Sequence, residues 1–215
     1  IGMLLLNISS PENYEPFILV SLLMSAALVP ILLTKRSAPK FKKIGTISMK
    51  ELYKISPLGT VSSFCTGVIH SALFSLAAVY AAINNFTVFE ISILLFIITL
   101  SGVVTQAPIG YLSDKFDRRI VIIISTFLSA GFAFFAIIVS GSTLANMYLA
   151  IELDYSKVLF FLFVGLYSSF ALPLFSLNLA HTNDFVTKEK FVAAGGGLQL
   201  IFGIGAIGGP IVCTL

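Results

Sequence analysis

Long apolar runs broken by short polar stretches fill the chain. A helix needs about 20 apolar residues to cross the hydrocarbon core of a bilayer. Six runs qualify: Phe17–Leu33, Leu58–Ile83, Val88–Ile109, Ile120–Ser140, Val158–Ala180 and Phe191–Leu215. Residues 1–8 read as the tail of an earlier span, too short to count. Barrel strands would be shorter and would alternate with a period of two, so helices are expected.

The polar residues between the runs predict where helices begin. In "SPLG", Ser56 is placed to cap and Pro57 to take the first helical position, where a missing N–H costs nothing. "TVFE" is a capping box, with Thr87 as cap and Glu90 reaching back from the third helical position. "SMKE", Ser48 to Glu51, repeats the pattern and opens a short amphipathic stretch expected to lie at the membrane interface.

Composition agrees with lipid as the solvent. The chain is 57% hydrophobic and 11% charged, with a mean hydropathy of +1.01, and a soluble chain of this length could not bury so much apolar surface. Cys65 and Cys213 both fall inside apolar runs and suggest no disulfide framework. No basic aromatic surface or motif points to nucleic acid, no ligand pattern to a metal or cofactor, and no phosphate-binding loop to an ATP-driven pump. The chain opens on Ile1 and closes on "GGPIVCTL" within an apolar run, which reads as a fragment of a longer protein.

Lysine and arginine set the orientation. If the first span runs inward, the loops at 34–56, 110–119 and 181–190 share one side and hold twelve of the basic residues, leaving Lys157 alone opposite. The positive-inside rule makes the twelve-residue side cytoplasmic.

The run "GYLSDKFDRR", residues 110–119, carries five charges in ten residues between two uncharged stretches. Gly110 allows a sharp exit after Pro108, Asp114 can face a helix N-terminus, and Arg118 and Arg119 can clamp that carboxylate or a helix C-terminus. Paired charges of this kind, with Lys115 among them, could latch helix ends in one state and release them in another. The bland alternative is that they only fix topology.

This run resembles the signature loop of the major facilitator superfamily, G-x-L-[AS]-D-[RK]-[FY]-G-R-[RK]. Gly110, Leu112, Ser113, Asp114, Lys115, Phe116, Arg118 and Arg119 match, and Asp117 stands where the family usually has Gly. Together with "LLTKRSAPK", "SPLG", "AHTND" and "GIGAIGGP", it is similar to the bacterial YcaD-like branch. The resemblance implies an all-α polytopic membrane helix bundle, a partial major-facilitator fold with helices 6 to 11 of twelve. Residues 1–34 would then end the N-terminal half, 35–56 would be the basic cytoplasmic inter-half linker, and 57–215 the C-terminal half with five transmembrane helices. It also implies that Asp114 touches the end of a helix from the opposite half and favours the outward-open state.

Few polar groups lie within the spans, where each is a functional candidate. His70 sits mid-span behind Ser63 and Thr66 at helical spacing, and could contact substrate, carry a proton, or only bond a neighbouring helix. Ser92, Thr99 and Gln106 recur every seven residues. Tyr167, Leu174, Asn178 and His181 share a face, with Pro173 expected to bend their helix. Gln199 is a further single candidate. His70, Gln106, Asn178 and Gln199 are thus substrate-pathway candidates, each weighed against helix-to-helix bonding. His181, Asn183 and Asp184 in "AHTND" fall at the cytoplasmic gate, where Asn183 or Asp184 could instead cap the next segment. Gly195 to Gly197, Gly203, Gly205, Gly208 and Gly209 let helices approach closely, and Pro210 offers a hinge.

The function expected is a secondary active transporter in the bacterial inner membrane, not an enzyme. It would move a small solute by alternating access; the coupling is left open, and a proton-driven mechanism would have to use His70 or groups in the other half. Its partners would be membrane lipids, the solute and the missing half. A membrane-embedded enzyme, or a non-transporting scaffold or sensor on the same fold, is the alternative.

Overall fold

The computed structural model describes residues 14–33, 45–140 and 153–214. Residues 1–8 and 35–44, assigned above to an earlier span and to the linker, lie outside them. Among the described residues the regular elements are α1 (Glu15–Leu32), α2 (Met49–Ile55), α3 (Pro57–Ile83), α4 (Val88–Lys115), α5 (Arg118–Ser140), α6 (Leu153–Ala171), α7 (Leu174–Asn183), a 3₁₀ turn (Lys188–Lys190) and α8 (Phe191–Thr214). The expectation of an all-α bundle holds.

Among the described residues, five helical stretches are long and apolar enough to cross a membrane: Pro57–Ile83, Val88–Lys115, Arg118–Ser140, Ser156–Asn183 and Lys188–Thr214. The first of the six expected spans, Phe17–Leu33, falls on α1, Glu15–Leu32, an apolar helix over Phe17–Pro30. Its large side chains, among them Phe17 and Met24, are exposed.

The caps read from sequence are present. Ser56 Oγ accepts from the Gly59 N–H at 3.3 Å ahead of Pro57. Thr87 N–H donates to Glu90 Oε2 at 2.7 Å while Glu90 N–H donates to Thr87 Oγ1 at 3.2 Å, closing the box. Ser48 caps α2 through the Glu51 N–H at 3.2 Å. The Glu51 carboxylate goes further, to Lys190 Nζ at 2.8 Å, tying α2 to the turn before α8.

Pro173 falls at the break between two helices, where its missing N–H leaves the carbonyl four residues earlier without a helix donor. α6 stops at Ala171, Leu172 and Pro173 form a turn, and α7 resumes at Leu174. Pro108 and Pro210, in contrast, stay within α4 and α8.

Three apolar clusters hold the bundle. Ala81, Leu94, Ile98, Ala136 and Val164 join α3, α4, α5 and α6. Ile109, Val121, Ile122, Leu174 and Leu177 join α4, α5 and α7. Leu52, Val186, Ala194 and Leu198 seat α2 on α8. Where α3 meets α8, a side chain at Gly67 would run into the Phe202 backbone and one at Gly205 into the Phe64 backbone. These two helices therefore touch main chain to main chain.

Candidate functional site

The charged run is built differently from the loop expected over 110–119. Nothing between Gly110 and Lys115 breaks a helix, so α4 continues through them and only Phe116 and Asp117 separate it from α5. Gly110 makes no sharp exit; it is a helical residue with nothing within 4 Å of where a Cβ would stand. Asp117 needs no left-handed turn either, because the only non-glycine residue of positive φ among those described is Asn85, at 58°. Instead Asp117 Oδ1 accepts from the Arg119 N–H at 2.9 Å and serves the first turn of α5. Asp immediately before a helix is a favoured cap, and that signal was available in the sequence.

Arg118 is the centre of the cluster. Its Nη2 lies 2.8 Å from Asp114 Oδ1, its Nη1 donates to Ser113 Oγ at 3.1 Å, and its Nε lies 2.7 Å from Asp184 Oδ2. A planar guanidinium presents donors on several edges, so one side chain can join the end of α4 to the end of α7. Asp184 thus pairs with Arg118 and does not cap the following turn, which begins after Thr187. Neither does Asn183, whose Oδ1 is buried without a partner among the described residues.

Arg119 and Lys115 lie over aromatic rings, with the Arg119 guanidinium 5.8 Å from the Phe185 centroid and Lys115 Nζ 4.5 Å from that of Tyr111. His181 is buried edge-on against Phe185, with ring centroids 5.0 Å apart. Asp114, Arg118, Arg119, His181, Asp184 and Phe185 are among the residues that line an open recess of about 490 Å³. Asp114, Arg118 and Arg119 of the latch group thus meet His181 and Asp184 of the gate group here, while Gly110, Lys115 and Asn183 do not line the recess.

The substrate-pathway candidates do not form one site. Asn178 is fully buried and donates from Nδ2 to Thr66 Oγ1 at 3.2 Å, leaving Oδ1 unpartnered. His70 Nε2 lies 3.0 Å from the Ala171 carbonyl. Gln106 Nε2 donates to Ser176 Oγ at 3.0 Å from an exposed position, and Gln199 is exposed on α8. Ser92 is buried while Thr99 and Gln106 are exposed, so their shared spacing does not give a shared environment.

At the opposite end of the bundle Lys157 Nζ pairs with Glu90 Oε1 at 2.9 Å and sits 5.0 Å from the Phe86 ring centroid. Sequence reasoning assigned Glu90 to its cap and missed this second partner, 67 residues away. Among the described residues no group of His, Cys, Asp and Glu side chains is placed to hold a metal ion.

A sequence model of the Major Facilitator Superfamily matches residues 59–215. The uncharacterized MFS-type transporter YcaD of Escherichia fergusonii is 24% identical over 212 residues, covering 98% of this chain and 51% of that protein. The uncharacterized MFS-type transporter YE1530 of Yersinia enterocolitica is 24% identical over 216 residues, covering 100% of this chain and 52% of that protein. The chain therefore spans about half the length of the curated relatives it matches. No solved structure matches it.

Proposed function

The chain belongs to the major facilitator superfamily, and from that premise we propose that it is part of a secondary active transporter that moves a small solute by alternating access. In this reading residues 1–34 close one half of the transporter and 35–56 link the halves. Residues 57–215 supply five helices of the second half, and the opposing half lies in the length of the relatives that this chain does not span. The end bearing Lys50, Lys54, Lys115, Arg118, Arg119, Lys188 and Lys190 faces the cytoplasm of a bacterial inner membrane, and Lys157 faces outward. Gln106, exposed on α4, and Gln199, exposed on α8, are candidates for contact with the solute.

The observation that carries the proposal is the Arg118 junction. It ties three helix ends through side chains that stay partly solvent-exposed, with Asp114 68% and Asp184 47% accessible. Exposed ion pairs are each worth little, about 0–1 kcal/mol, so the junction can be exchanged for contacts with the opposing half without a large barrier. Asp114, the more exposed carboxylate, is the one free to make those contacts.

The test is uptake of a panel of labelled drugs, sugars and organic acids by proteoliposomes holding the full-length protein, with and without a proton gradient. Asp114→Asn is expected to lower the uptake rate about tenfold or more while membrane insertion stays intact, the scale of one charge-assisted hydrogen bond lost from a moving contact. Wild-type uptake in that variant would remove the junction from the cycle. No uptake of any solute by the parent protein would remove the transporter reading itself.

A further inference from the structure

The helix that α6 and α7 would form is interrupted at Leu172–Pro173, and the interruption leaves main-chain acceptors short of donors. Pro173 has no N–H to give to the carbonyl four residues earlier, that of Ser169. Ala171 is the last residue of α6, where intrahelical donors run out. Both carbonyls are met by side chains from other helices. Thr105 Oγ1 on α4 lies 2.6 Å from the Ser169 oxygen, and His70 Nε2 on α3 lies 3.0 Å from the Ala171 oxygen.

We infer that His70 and Thr105 are positioning residues that hold this break by donating to the two carbonyls at its edge. The threonine hydroxyl has one proton and three carbonyls within reach, those of Ser169 at 2.6 Å, Ser101 at 2.8 Å and Gly102 at 3.4 Å. The last two lie inside α4, where main-chain N–H groups already serve them. Ser169 is both the nearest and the one without a helix donor. A carbonyl oxygen can only accept, so His70 must carry its proton on Nε2, which leaves Nδ1 as the free atom of the neutral ring.

The surroundings commit His70 to this task. Its ring is held edge-on by Phe202 of α8, with centroids 5.5 Å apart, so the imidazole cannot turn without displacing that contact. It stands at the end of a stripe along α3 that faces the same broken helix throughout: Ser56 lies 3.3 Å from Thr182, and Thr66 accepts from Asn178. On the α4 side Gln106 follows Thr105 and donates to Ser176, just past the break. Donors from two flanking helices thus bracket Pro173, and the break they hold sets where α7 delivers Asp184 to Arg118.

The test is hydrogen exchange on the full-length protein in lipid nanodiscs, read on peptides covering residues 168–178. His70→Leu and Thr105→Val are each expected to speed exchange there about five- to tenfold, the scale of one lost hydrogen bond. His70→Gln, which keeps a donor where Nε2 stands, and Thr105→Ser, which keeps the hydroxyl, are expected to exchange like the parent. Unchanged exchange in both His70→Leu and Thr105→Val overturns the inference. So does a His70→Gln protein that behaves like His70→Leu, because the imidazole is then needed for more than its donor. If His70→Leu fails to insert, the nearly isosteric pair Thr105→Val and Thr105→Ser decides. Exchange needs no substrate, so it is readable even if the transporter reading fails. The uptake arm rests on that reading: the maximal rate is expected to fall in His70→Leu and recover in His70→Gln, with the half-saturating concentration within about twofold, since lost bonds at the break alter turnover before affinity.

Discussion

The α3–α8 contact and the α5–α6 contact hold the same bundle by opposite means. Across α3–α8 the main chains meet at Gly67, Gly205 and Gly209, the last of which would place a side chain on Ser71 and the Val68 carbonyl. Across α5–α6 phenylalanines fill the gap. Phe132 stacks on Phe170 with centroids 5.9 Å apart, and Phe135 on Phe163 at 5.5 Å. In lipid, apolar burial does not drive helices together, so close packing and interhelical hydrogen bonds must. The first contact gains closeness by having no side chains, the second gains contact area by having large ones. One is vulnerable to atoms added, the other to atoms removed.

The largest effect expected follows from adding atoms where main chains touch. Gly67→Val should cost about 3 kcal/mol, the upper end for overpacking, because the obstacle is the Phe202 backbone rather than a side chain that could turn aside. Gly203→Val, on the same pair of helices but with nothing within 4 Å, is the control. It should fall within about 0.5 kcal/mol of the parent. Reversible unfolding in mixed detergent would measure both, and equal losses would mean that the glycine contact is not special.

A smaller loss is expected from Phe163→Ala. Dispersion contacts with Phe135 and the cluster around Val164 go, but the void opens in a membrane protein where no transfer from water is forfeited, so about 1–2 kcal/mol is expected. A loss above that of Gly67→Val in the same assay would reverse the ranking of the two contacts.

The smallest effect lies at the end of the α3–α8 side. Lys190 beside Glu51 holds its carboxyl below the ordinary value of 4.5, first through the hydrogen bond and then through charge. A lowered folded-state value means that the pair's contribution is complete above that ordinary value and is lost as pH falls through the lowered one. The melting temperature of Glu51→Gln should therefore lie slightly below the parent's at pH 7, and the two should converge as pH falls below the lowered value. A gap that persists at low pH would assign the difference to packing rather than to charge.

What the sequence made legible was local. Ser56 with Pro57, and Thr87 with Glu90, announce helix starts because caps act over three or four residues. Pro173 announced its break for the same reason. The run around Asp114 was legible as a motif but not as a shape. Pro108 and Gly110 suggested an exit, yet a helix tolerates a proline where other groups satisfy the backbone in lipid, and Asp117 supplied the actual punctuation. What stayed hidden were partners far along the chain. Arg118 and Asp184, Thr105 and Ser169, and His70 and Ala171 meet only once the helices pack, and no periodicity within one helix encodes which neighbour it will face.

Glu90 has a consequence for movement. One of its carboxylate oxygens closes the cap of α4 and the other holds Lys157 near the start of α6, while farther down Gly102 lies under Leu172 and Gly165 under Ile97. These contacts recur at a nearly constant offset along α4 and along α6 with the turn that follows it, which works like matched notches on a pair of rulers. The pair can lean or roll together, but a slide of one against the other would have to break every notch at once. A displacement of α4 along its axis would therefore tend to carry α6 with it, and the contact of Gly102 with Leu172 extends that coupling to the edge of the break.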